Sequence, residues 1–109
     1  MATIDASVQK TKSLCVIDSG HKTCSIATEI ITSICEKMNN ELIHPPMRLA
    51  MPDCAEPTSY SLTKDFHIRA SDIVEAIMGR FNKKSTKLNM EELRPKVHDV
   101  PGTWFEGPF

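Results

Sequence analysis

Candidate chemistry in this 109-residue chain gathers in two short stretches. The first is Gly20-His21-Lys22-Thr23, which follows an apolar run and precedes the clearest helical pattern in the sequence. A histidine and a lysine ahead of a helix suit an anion or substrate contact, because the unpaired N–H groups of a helix N-terminus draw negative charge. The plainer reading of His21 and Lys22 is a solvated loop. The string lacks the upstream glycine and the spacing of a phosphate-binding loop. The second stretch puts Arg48 and Asp53 around the end of a short strand pattern. In an open α/β sheet that end is where ligands gather, and the rival reading is a structural Arg48–Asp53 pair across a turn. Glu29 has the residue type of a catalytic carboxylate. Its place at the start of a helix also fits an acid that favours the dipole or pairs with Arg48 or Lys22.

Four cysteines, Cys15, Cys24, Cys35 and Cys54, raise a metal reading. No two form a C-x-x-C pair, and the spacings of 9, 11 and 19 match no zinc module. They are expected to be reduced thiols, mostly buried, with Cys54 in a loop and the most open to reaction. His44, His67 and His98 are scattered and form no ligand spacing.

The elements that must position these residues follow from pattern. Residues 1–12 are polar and mixed, and no regular element is assigned to them. Leu14-Cys15-Val16-Ile17, stopped by Asp18-Ser19-Gly20, reads as a strand buried on both faces. Ile26, Ala27, Ile30, Ile31, Ile34, Cys35 and Met38 make one stripe at the helical period, with Thr23 or Ser25 as its N-cap. Asn39-Asn40 and Pro45-Pro46 end that helix. Met47–Met51 reads as a second strand, giving a βαβ unit with parallel strands. A long connection follows, with a helical turn expected over 59–63. A second helix is expected from Ser71 as N-cap, with the stripe Ile73, Val74, Ile77, Met78 and Phe81. Arg80, Lys83 and Lys84 suit its C-terminal end. Met90–Leu93 has the pattern of one further turn. The segment 85–109 lacks periodicity but holds Val100, Trp104, Phe105 and Phe109, too many large apolar groups for a solvated tail. Trp104 and Phe105 are expected to dock on their own domain or on a partner subunit.

Composition limits the function classes. The formal net charge is -1, with 25% charged and 40% hydrophobic residues, which argues for neither nucleic acid nor a solvating tail. No apolar run is long enough for a bilayer, and residues 1–5 lack the pattern of a secretory signal. The expected compartment is the cytoplasm or the mitochondrial matrix.

A resemblance covers residues 7–81. Ser7-Val8-Gln9-Lys10-Thr11-Lys12-Ser13-Leu14 looks like the lead-in to a central strand of the transketolase C-terminal domain. Asp18-Ser19-Gly20 matches the acidic residue and glycine that close that strand. Ala27-Thr28-Glu29-Ile30 then matches a helix motif, Pro45-Pro46-Met47-Arg48 a strand motif, and Asp53-Cys54-Ala55-Glu56-Pro57 a loop motif. Asp72-Ile73-Val74-Glu75-Ala76 matches the last helix. The order and spacing resemble above all the beta subunits of thiamine-diphosphate-dependent 2-oxoacid dehydrogenases, of pyruvate, branched-chain or acetoin type. Ala55 stands where that family tends to have proline. The chain continues past the usual family ending near residue 84, and the strand, helix and strand that open the domain are lacking.

The resemblance implies a three-layer α/β/α fold with a mainly parallel sheet, present in part over 1–84 and followed by an irregular tail, 85–109. It implies a parent enzyme that decarboxylates a 2-oxoacid oxidatively and passes the acyl group to the lipoyl arm of an acyltransferase. Thiamine diphosphate and magnesium would be held outside this chain, which would carry no catalytic, cofactor or metal residue. The implied partners are the alpha subunit, the lipoyl acyltransferase or a second copy. Two rivals stay open. One is a fragment of a ketol transferase such as transketolase or deoxyxylulose-phosphate synthase; the other is a stand-alone binding module.

Overall fold

The computed structural model describes residues 1–82 and 106–107, with Asn39 described by its backbone alone. The chain divides into two compact units, Met1–Cys54 and Ala55–Phe109. The first holds α1 (Ala2–Thr11), β1 (Cys15–His21), α2 (Ile26–Met38), a 3-10 turn over Asn39–Glu41 and β2 (Met47–Met51). The second holds a 3-10 turn over Tyr60–Leu62, inside the expected turn, and α3 (Ala70–Arg80).

Helix α1 lies where the sequence shows no element. Its apolar side is narrow: Val8 is buried and Ile4, one turn earlier, is partly buried, while most other positions are polar and exposed. Two residues four apart meet on one face but leave little periodic signal. Lys12 ends the helix in the left-handed region at φ 55, and its N–H donates to the Val8 carbonyl at 2.7 Å. The Lys12 carbonyl then accepts the Ile43 N–H at 2.9 Å. Helix α2 supplies the other side of the core, with Val8, Ile34 and Met38 buried together and Ile4, Leu14 and Leu42 packed around them. Lys37 of α2 and Asp5 of α1 form an ion pair at 3.0 Å above this contact.

Among the described residues, strands β1 and β2 are parallel and form a two-stranded sheet, joined through α2, which packs against both. The expected βαβ unit is therefore present. The expected burial on both faces is not: no residue of either strand is buried, and Ile17 is 51% exposed. Two strands with a single helix in their connection cannot cover both faces and both edges. Ile26, placed on the α2 stripe by sequence, lies at the helix start and is 75% exposed.

Within the second unit, the cap of α3 differs from expectation. Arg69, not Ser71, is the N-cap, and Ser71 is a buried residue inside the helix. Asp72 reaches back one turn, its Oδ2 accepting the Arg69 N–H at 2.8 Å. That bond satisfies a donor the helix cannot pair internally. Met90–Leu93, Lys83 and Lys84 lie outside the described residues.

The fully buried Ile34 and the exposed Ile43 give a direct test of where the core sits. Ile34→Ala is expected to cost about 2–5 kcal/mol through lost burial and a cavity. Ile43→Ala is expected to stay within about 0.5 kcal/mol. Urea unfolding of both variants checks the pair.

Candidate functional site

The C-terminal ends of β1 and β2 are shaped by a break in register. Cys15, Val16 and Ile17 stand opposite Met47, Arg48 and Leu49, and further along His21 stands opposite Met51. Asp18, Ser19 and Gly20 therefore face Ala50 alone, as a bulge in β1. The Asp18 side chain holds the bulge closed, its Oδ1 accepting the Gly20 N–H at 2.8 Å. A Cβ on residue 20 would sit 3.2 Å from that oxygen, so the absence of a side chain there keeps the turn tight. Asp18 Oδ2 accepts the Ala27 N–H at 3.0 Å, in the first turn of α2. The nearer cap, Ser25, makes a long contact of 3.4 Å to the Thr28 N–H. One carboxylate thus ties the end of β1 to the start of α2.

Beyond the bulge, the loop after β1 is fastened to the loop after β2. The Lys22 N–H donates to the Met51 carbonyl at 2.9 Å. His21 Nδ1 lies 2.9 Å from the Pro52 carbonyl. A carbonyl only accepts, so Nδ1 carries the proton. Thr23 donates twice to Asp53, by its N–H to Oδ1 and its hydroxyl to Oδ2, at 2.7 Å each. The expected cap role of Thr23 is replaced by this fastening.

His21, Lys22 and Asp53 are thereby brought together. Arg48 makes its direct bond to the Thr28 hydroxyl of α2, and acts on Asp53 through charge rather than as the expected salt bridge. Glu29 is exposed and makes no ion pair with Arg48 or Lys22 among the described residues. Trp104 and Phe105 lie outside the described residues. Sequence reading does not mark Asp18 and Thr28 as members of the site, and it gives Thr23 only a cap role. An acidic residue two before a glycine, at a strand end ahead of a helix, is the signal that marks Asp18. None of the four cysteines is in a disulfide. Cys24 and Cys54 are exposed, and Cys15 and Cys35 half-buried, so the expectation of mostly buried thiols is corrected.

The electrostatics follow from these bonds. N–H donation from Gly20, then from Ala27, holds the Asp18 carboxyl below the usual carboxylate range, with the Ser25 hydroxyl adding to it. The Thr23 hydroxyl and then its N–H do the same for Asp53, helped by the charges of His21 and Arg48. All four carboxylate oxygens accept hydrogen bonds. Such groups are fixed anions and poor general bases, because catalysis at neutral pH asks for a raised affinity for protons.

A parallel βαβ unit with its fastened loops at the strand ends defines an open α/β protein. The chain belongs to the transketolase C-terminal domain family, whose model matches residues 1–73. It is 31% identical over 84 residues to the pyruvate dehydrogenase E1 component subunit beta of Porphyra purpurea, an alignment covering 77% of this chain and 25% of that one. The chain thus spans about a quarter of the length of this curated relative. No solved structure matches it.

Enzymes built with this domain use thiamine diphosphate and magnesium, and a magnesium site needs carboxylate or carbonyl oxygens open to the ion. Asp18 and Asp53 have their oxygens engaged, and no group of three His, Cys, Asp or Glu is arranged for a metal among the described residues. The described residues do not fit that group. No described helix is long and apolar enough to cross a membrane.

The two lowered carboxylates set an acid dependence. A folded pKa below the unfolded value of about 3.9 adds stability that is present above that value and lost as pH falls through the folded pKa. Asp18→Asn and Asp53→Asn are each expected to lower stability at pH 7 and to flatten its decline below about pH 4. Urea midpoints from pH 2 to pH 7 check both signs.

Proposed function

We propose that this chain is the C-terminal, non-catalytic portion of a 2-oxoacid dehydrogenase beta subunit, and that it serves subunit assembly. The observation that carries the reading is the likeness to a pyruvate dehydrogenase beta subunit in a chain that belongs to the transketolase C-terminal family. The commitment of Asp18 and Asp53 to holding loops supports a scaffold role over a chemical one.

In this reading, residues 1–84 are part of a three-layer domain whose sheet is completed by strands supplied from elsewhere, and 85–109 is a docking tail. The parent enzyme decarboxylates a 2-oxoacid and passes the acyl group to a lipoyl arm, in the cytoplasm or the mitochondrial matrix. The alpha subunit and the acyltransferase, or a second copy, are the partners. His21, Lys22, Glu29, Arg48 and Asp53, with Trp104 and Phe105 of the tail, are the contacts offered to them. The sheet, with no buried residue in either strand, is a surface that such partners would cover.

The purified chain, supplied with thiamine diphosphate, magnesium and a 2-oxoacid, is expected to give no turnover above the protein-free blank. Co-expressed with an alpha subunit and the cofactor-binding part of a beta subunit, it is expected to co-purify with them. Cofactor-dependent turnover by the chain alone, or failure to join that assembly, would sink the proposal.

A further inference from the structure

We infer that Cys24 and Cys54 form a closable dithiol, a modification site at the strand ends that stands independently of the function proposed above. The argument is one of register. After the Asp18–Gly20 bulge, His21 stands opposite Met51, and the Asp53 carboxylate accepts from Thr23, both at a difference of 30 in residue number. Cys24 and Cys54 are the next residues at that difference. The two 2.7 Å bonds between Thr23 and Asp53 fasten the segments one residue before them. A disulfide bridges Cα atoms roughly 4.4–6.8 Å apart, the separation that the Thr23–Asp53 fastening is asked to hold one residue further on.

Both thiols are exposed, and neither is in a disulfide. Cys24 sits in the left-handed region at φ 56, and the Cys54 N–H closes a tight turn onto the Pro52 carbonyl at 2.9 Å. Each cysteine is thus held at a bend beyond its strand. Before the bulge the difference is 32, as between Cys15 and Met47. Without the bulge the two thiols would not fall level.

The chemistry is exchange with a small disulfide such as oxidised glutathione. One cysteine thiolate attacks a sulfur of the reagent, forming a mixed disulfide and expelling one reduced thiol. The second cysteine, as thiolate, attacks the protein sulfur of that mixed disulfide and expels the other. Two thiols and one reagent disulfide become one protein disulfide and two reduced thiols. Two electrons pass to the reagent, and the two cysteine protons end on its thiols.

The test treats the folded full chain, dilute, with oxidised glutathione, then alkylates remaining thiols. Cleavage at Lys, Arg and Glu follows, with Glu29 separating Cys24 from Cys35. The expected result is a monomeric product with a Cys24–Cys54 cross-linked peptide in excess over the two single glutathione adducts combined. Cys24→Ser is expected to abolish the cross-link and leave Cys54 carrying glutathione. The excess of cross-link over single adducts is expected to vanish when the same oxidation is run on the chain unfolded in urea. Stable adducts on both cysteines without a cross-link, a bridge to Cys15 or Cys35, or a bridge between two copies would overturn the inference.

Discussion

The structure of the first unit hangs on the Asp18 carboxylate. Its two oxygens tie the bulge at Gly20, near the end of β1, to the first turn of α2. An amide hydrogen bond to a charged acceptor is stronger than a neutral one, and each of these also satisfies an N–H that regular structure leaves open. The bulge that results changes the register between the strands, and the new register is what sets Thr23 beside Asp53. Local side-chain chemistry thus decides the long-range alignment of two loops.

How much of this is legible in the sequence depends on the range of the force involved. Helix α2 and strand β2 were readable because burial imposes a period on neighbouring residues. Helix α1 was not, because its packing rests on Ile4 and Val8 alone. The parallel βαβ pairing is readable from element order, while the double-sided burial expected of Leu14–Ile17 is not met. An apolar run records that both faces avoid water, without saying which chain covers them. The site was half legible. Residue type and strand-end position picked out His21, Lys22 and Asp53. The bonds that organise them link residues 9 and 30 positions apart, and such side-chain bonds leave no periodic trace.

The family and the physics agree on one point. A sheet of two strands buries too little to explain why Cys15-Val16-Ile17 and Leu49-Ala50-Met51 are so apolar. These segments have the composition of central strands and the exposure of edge strands. That mismatch is consistent with a partial transketolase C-terminal domain.

The proton on His21 Nδ1 carries a further consequence. With that nitrogen committed to the Pro52 carbonyl, a neutral His21 ring offers the surroundings only the lone pair of Nε2. In that state the residue greets a hydroxyl, an ammonium or an amide N–H, and turns a phosphate or carboxylate away. The strand-end loop therefore turns the acceptor side of a neutral His21 outward, and one backbone carbonyl sets that sense.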